Sequence, residues 1–210
     1  MRLRITFSKE SWLVYSSHLD LMRVWERALR RAGVPLAYSA GYNPHPKLQL
    51  ARALPLGHVG EEELIDVWLE EPMALEKFTQ SLPPVLPEGL KIKQVRQVDA
   101  GAPAMQTQVV ATEYRVIVDW DESSEVIDAR IERALAQEVL LHERRGRRYN
   151  IRPLIEALWL DAVSEGTVVL GMRLSARPRA TGRPEAVMDV LGIGDAVARY
   201  QRTGLILRPS

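Results

Sequence analysis

Hydrophobic and polar positions alternate from the second residue onward. Leu3, Ile5 and Phe7 fall on one face of Arg2–Lys9, the period of a half-buried strand. The period then lengthens: Leu21, Trp25, Ala28 and Ala32 recur at helical spacing and form an inner stripe. Ser17 stands ahead of them as an N-cap with Asp20 three residues on, a variant of the capping box, and Gly33 and Pro35 close the helix. Alternation returns in residues 47–54 and 63–69, joined by a Pro- and Gly-bearing loop over 55–60. Residues 72–82 read as a second helix and Leu90–Val98 as a further strand.

Strand, helix, strand, strand, helix, strand is the split βαβ, or ferredoxin-like, order. Residues 100–108 (AGAPAMQTQ) are small, polar and aperiodic, which marks a linker. The second half repeats the order more loosely. Residues 114–120 predict a strand, 125–137 a helix, 139–143 and 150–162 a strand pair around the turn 144–148, 167–174 a strand, 184–191 a short helix and 205–207 a last strand. The expected fold class is α+β: two tandem ferredoxin-like (βαββαβ) domains with antiparallel sheets. The expected boundaries are 1–99 for the N-terminal domain, 100–110 for the linker and 111–210 for the C-terminal domain. A single larger α+β domain is the competing architecture.

Composition narrows the chemistry. With no cysteine, the chain itself offers no thiolate for a metal or iron–sulfur cluster and no disulfide. No apolar run approaches the roughly 20 residues that cross a bilayer, and the start lacks the apolar core of a signal peptide, so a cytoplasmic location is expected. A net charge of +1 conceals 23 arginines against 5 lysines. Arginine forms forked contacts to phosphate and carboxylate and stacks on flat rings, so the bias suits nucleic acid, although genomic composition also produces it. From His142 onward 12 arginines face 7 acidic residues, so the basic character is local.

Three constellations carry candidate chemistry. Arg23, Arg27 and Arg30, with Arg31 beside them, lie off the inner stripe of the first helix and could track a sugar–phosphate backbone; a solvated face with Glu26 as ion-pair partner is the plainer alternative. The turn Gly41-Tyr42-Asn43-Pro44-His45-Pro46-Lys47 is stiffened by its glycine and two prolines, and presents a ring, an amide, an imidazole and a cation. Tyr42, Asn43, His45 and Lys47, joined by His18 and Asp20 at the helix start, form the expected ligand or partner pocket. His18 and His45 could act as acid and base, and with Asp20 could approach a metal, but the spacing is not that of a metal motif and no metal is expected. The third is the run His142-Glu143-Arg144-Arg145-Gly146-Arg147-Arg148-Tyr149-Asn150-Ile151-Arg152. Its Arg144, Arg145, Arg147 and Arg148 would tip a β-hairpin able to read an RNA groove or loop. The segment Leu191-Gly192-Ile193-Gly194 lacks the Gly-Lys-Ser/Thr ending of a phosphate loop, and no hydrolase signature occurs.

The run from Ser17 to Gly33, the turn 41–47, Leu54-Pro55-Leu56-Gly57, the acidic stretch 61–66, Asn150-Ile151-Arg152-Pro153 and Arg183-Pro184-Glu185 together resemble the radical-SAM-associated (radical-SAM-linked) proteins of bacteria, a domain of unknown function. Asn150 departs from the family pattern, which more often carries aspartate there. The resemblance implies a radical-SAM protein as partner, with the iron–sulfur cluster and S-adenosylmethionine on that partner and no cofactor in this chain. Joined to the basic constellations, it points to an accessory RNA-binding protein that presents an RNA substrate. A metal-independent endoribonuclease using His18 and His45 is one alternative, and a protein–protein adaptor without RNA is another.

Overall fold

The computed structural model describes residues 1–208. Its elements in chain order begin with β1 (Arg2–Lys9), α1 (His18–Arg31), β2 (Leu48–Leu50), β3 (Val59–Trp68), α2 (Leu75–Ser81), β4 (Leu90–Val98) and α3 (Met105–Gln108). They continue with β5 (Val109–Asp119), α4 (Ser124–Ala136), β6 (Leu141–Arg144), β7 (Arg147–Asn150), β8 (Ile155–Ser164), β9 (Thr167–Arg177), β10 (Ala180–Thr181), α5 (Pro184–Val190) and β11 (Ala198–Leu207). The chain forms two compact units, Met1–Val109 and a second from Val110 onward. The last two residues of the expected second domain lie outside the described residues.

The expected pair of tandem ferredoxin-like domains, each with its own antiparallel sheet, is corrected by the strand pairing. Among the described residues, nine strands belong to one large mixed sheet, and only β6 and β7 stand apart as a two-stranded ribbon. Alternation identifies a strand and its buried face but not its neighbour. The N–H and C=O groups along a strand edge accept whichever strand the rest of the fold delivers.

In the first unit β3 pairs antiparallel with both β1 and β2, and β1 with β4. The capping box of α1 forms as its sequence requires: the Ser17 hydroxyl accepts the Asp20 N–H at 3.2 Å and the Asp20 carboxylate accepts the Ser17 N–H at 3.3 Å. Leu21, Trp25, Ala28 and Leu29 are buried, with the Trp25 ring edge-on to Phe7 at 5.0 Å.

The opposite face of β1 is also closed. Arg2 and Arg4, which alternation assigns to solvent, are buried against Asp66, itself fully buried. The Arg2 Nε–H donates to the carboxylate at 3.0 Å and the Arg4 Nε–H at 2.8 Å. Two guanidiniums on one carboxylate offset a desolvation cost of several kcal/mol per ion. Remaining Arg2 N–H groups donate to the carbonyls of Ala102 and Pro103, at 2.6 and 3.2 Å, so the 100–108 segment is fastened to β1. Met105 within it is fully buried.

In the second unit β9 pairs antiparallel with β5, β8 and β10. The core gathers Val116, Val118, Ile127, Ile131, Leu170, Met172, Leu174 and Val187 from this sheet and from α4 and α5. The expected pairing of 139–143 with 150–162 is replaced: β6 pairs with β7, in the register Leu141↔Asn150 to Arg144↔Arg147, and β8 turns instead to β9. Asn150 dictates this break. Its amide oxygen accepts the N–H groups of Leu140 (2.8 Å) and Arg152 (3.0 Å), while its NH2 donates to the Glu138 carbonyl at 3.2 Å, closing the base of the ribbon before β8 begins. Among the described residues no helix is long and apolar enough to cross a membrane.

Candidate nucleic-acid interface

Two tight turns build a strongly basic concavity in the second unit. The first is Arg145-Gly146, the two-residue connection of the β6–β7 ribbon. Both residues hold positive φ, 51° and 74°, as a primed hairpin turn demands. The second is Pro178-Arg179 between β9 and β10, where the proline fixes its own φ and Arg179 takes φ 62°, a position that favours glycine. The Ser175 hydroxyl donates to the Ala180 carbonyl (2.8 Å), and the Gly182 N–H to the Ser175 carbonyl (2.8 Å), securing this hairpin. Gly182 has no room for a side chain: a Cβ there would stand 2.9 Å from the Leu174 Cβ and 3.0 Å from the Leu154 carbonyl oxygen.

Between the turns lies a cleft of about 670 Å³ lined by Arg144, Arg145, Arg147, Arg179 and Arg183, with Tyr149, Leu154 and Thr181. No carboxylate lines it, and none of the five arginines takes part in an ion pair among the described residues. Arg144 and Arg147 face each other directly across the ribbon, an arrangement of like charges that costs stability unless an anion is shared. Arg148, expected in the same constellation, is taken by Glu143 at 3.0 Å and does not line the cleft. Arg152 is structural, its Nε–H and a terminal N–H donating to the Leu135 carbonyl at 3.2 and 3.1 Å at the end of α4.

The wall residue Tyr149 is fixed from behind. Its hydroxyl lies 3.2 Å from His142 Nδ1, and His142 Nε2 lies 2.8 Å from the Asp189 carboxylate. A carboxylate only accepts, so Nε2 carries the proton; in neutral imidazole Nδ1 then accepts from the Tyr149 hydroxyl. The two rings meet edge to face at 5.5 Å. The chain Tyr149–His142–Asp189 thereby ties the ribbon to α5. No local signal in the sequence points to this support for His142, because its partner Asp189 stands 47 residues away. Nearby, burial pushes the Tyr200 phenol above its ordinary range, with the Glu185 and Asp189 carboxylates adding to the effect.

In the first unit the candidate residues are spread out. Arg23 pairs with Asp20 at 3.3 Å and Arg30 with Glu26 at 3.0 Å, Arg30 also lying 5.9 Å from the centre of the Tyr38 ring. Arg27 and Arg31 are exposed with no partner among the described residues. Asp20 is occupied by the capping box; the Ser17 hydroxyl, then its N–H, and lastly Arg23 hold its carboxyl below the usual carboxylate range. The turn 41–47 projects from a short backbone clasp: Ser39 N–H to His45 carbonyl at 2.8 Å, His45 N–H to Ser39 hydroxyl at 3.0 Å and Lys47 N–H to Ala37 carbonyl at 2.8 Å. Gly41, at φ 131°, lets the loop fold out. Tyr42, Asn43, His45 and Lys47 are exposed, and no hydrogen bond joins His18 to His45 among the described residues. Nor does any group of three or more His, Asp or Glu among the described residues stand where it could hold a metal ion.

Several solved structures share the fold. A chain of the structure described as "Crystal structure of the archaeal box H/ACA sRNP Nop10-Cbf5 complex" matches with a TM-score of 0.51 at 9% identity, over 99% of this chain and 49% of that one. A chain of "Structure of H/ACA RNP bound to a substrate RNA containing 2'-deoxyuridine" matches with a TM-score of 0.51 at 10% identity, over 97% of this chain and 47% of that one. The protein thus spans about half the length of those chains. At this identity the likeness is one of fold, and it agrees with one large sheet rather than tandem ferredoxin-like domains. No curated protein matches the sequence. Residues 2–184 match a bacterial family, and the chain belongs to it: "Uncharacterized protein conserved in bacteria (DUF2344)".

Proposed function

We propose that this protein binds RNA through the arginine cleft of its second unit, and that it does so as the accessory partner of a radical-SAM enzyme to which it presents the RNA. The observation that carries the reading is the lining itself: five guanidiniums and a fixed aromatic ring around one concavity with no carboxylate. Guanidiniums grip phosphate oxygens in pairs, and a tyrosine face stacks on any base. Arg27 and Arg31 of α1 supply a second, weaker surface for a backbone. The solved structures that share the fold are described as RNA–protein particles, which favours this reading over an adaptor that never meets RNA. An endoribonuclease acting through His18 and His45 has less support, since neither imidazole has a hydrogen-bond partner among the described residues. The iron–sulfur cluster and S-adenosylmethionine belong to the partner in this scheme.

The test is fluorescence anisotropy with a short labelled single-stranded RNA across a salt series. Each phosphate neutralised on single-stranded nucleic acid contributes about −0.7 to the slope of log K against log salt. Arg147→Glu with Arg183→Glu should weaken binding of all sequences alike and flatten the slope. Undiminished binding by that double variant defeats the reading. Co-purification of a radical-SAM protein with the tagged chain tests the partnership separately.

A further inference from the structure

We propose that the arginine cleft captures a nucleotide bearing a terminal di- or triphosphate, such as the 5′ end of an RNA, in preference to the internal backbone of a strand. The proposal rests on the cleft being the RNA site, and it names what part of the RNA enters it.

Charge counting leads to this. A sphere of the cleft's volume is roughly 11 Å across. A stacked single strand places one phosphodiester charge about every 3.4 Å, so about three fit in that length. Five guanidiniums line the same space, and no acidic side chain among the lining residues offsets the excess. A terminal phosphate carries about −1.5 to −2, so a triphosphate followed by its first phosphodiester concentrates about five negative charges. Its oxygens also point in several directions from one short chain. That suits guanidiniums arriving from both hairpins and from the approach to α5, where a strand running past would meet them from one side.

The backbone adds an independent sign. Of the three non-glycine residues at positive φ among the described residues, two, Arg145 and Arg179, line this cleft. Each takes a left-handed conformation that its tight turn imposes, at a position where glycine or asparagine would serve the turn better than arginine. The like-charge pair Arg144↔Arg147 is a third local cost at the same place. A compact polyanion relieves the repulsion and engages the two strained residues together. Tyr149, locked by His142 and Asp189, then supplies a ring already oriented for the terminal base.

The experiment compares one labelled RNA of roughly 12 nucleotides, within the range of single-strand sites, carrying a 5′-triphosphate, a 5′-monophosphate or a 5′-hydroxyl. Guanosine triphosphate serves as unlabelled competitor, and the full chain is used throughout. The triphosphate RNA should bind at least about tenfold more tightly than the hydroxyl form, a difference near 1.4 kcal/mol. Arg147→Ala with Arg183→Ala should abolish that preference. Arg148→Ala, whose side chain pairs with Glu143 outside the cleft, should keep it and so shows that the ribbon still folds. Equal affinity for the three ends overturns the proposal while leaving RNA binding intact. Failure of every probe overturns both.

Discussion

Arg145 and Arg179 sit 34 positions apart on separate hairpins, yet both hold left-handed backbone and both line one cleft. Arg145 precedes Gly146 in a two-residue turn that prefers asparagine at its first position, because asparagine tolerates positive φ. Arg145→Asn should therefore raise stability by about 0.5–1 kcal/mol while lowering RNA affinity. Urea denaturation and anisotropy on the same sample check both signs. A loss of stability would show that the arginine is not held against its preference.

Much of the first unit was legible in the sequence because its signals are local. The capping box at Ser17 and Asp20, the stripe Leu21–Trp25–Ala28, and Leu90–Val98 depend on residues a few positions apart. The sheet was not legible, since strand partners are chosen across the whole fold and alternation is blind to them. The buried pair Arg2 and Arg4 was missed for the same reason: Asp66, which makes their burial tolerable, lies more than 60 residues away. Within the candidate site, the arginine-tipped hairpin could be read from its residues around Gly146. Arg179 and Arg183 are visible in the sequence as part of a second basic stretch with Arg173 and Arg177. Their meeting the hairpin in one cleft, and the support from Asp189, depend on the β9–β10 turn and α5 and carry no local signal.

Asp66 offers a direct test of the first unit. It balances two buried guanidiniums, so Asp66→Ala leaves uncompensated charge and should cost about 3–5 kcal/mol. Because Arg2 also holds the carbonyls of Ala102 and Pro103, limited proteolysis should begin in the 100–108 segment of this variant. A shift in the urea midpoint below 1 kcal/mol would indicate that water already reaches the cluster.

Asp20 gives the pH dependence a sign. Its folded-state pKa is depressed by the Ser17 hydroxyl and N–H and by Arg23, so its stabilising effect is complete above the ordinary carboxylate range. That effect is lost as pH falls through the lowered folded value. The stability difference between the wild type and Asp20→Asn should accordingly be largest near neutrality and shrink in acid. Ser17→Ala, which removes the cap itself, should cost about 1 kcal/mol. Thermal unfolding over a pH series reads all three; a difference that grows in acid contradicts the assignment.

Tyr149 separates the two contributions a tyrosine can make to the cleft. Its ring forms part of the wall, whereas its hydroxyl faces His142 at 3.2 Å. Tyr149→Phe keeps the ring and leaves His142 Nδ1 without its partner, so it should lower stability by about 1 kcal/mol and scarcely change RNA affinity. Tyr149→Ala removes the stacking surface and should weaken RNA binding by about 1–3 kcal/mol. Tyr42 is the contrast: its ring is wholly exposed on the projecting turn, so Tyr42→Ala should leave the unfolding midpoint unchanged. If Tyr42→Ala weakens RNA binding as much as Tyr149→Ala, the turn 41–47 also contacts the strand. If Tyr149→Ala has no effect while Tyr42→Ala does, the interface lies in the first unit and the arginine cleft has another purpose.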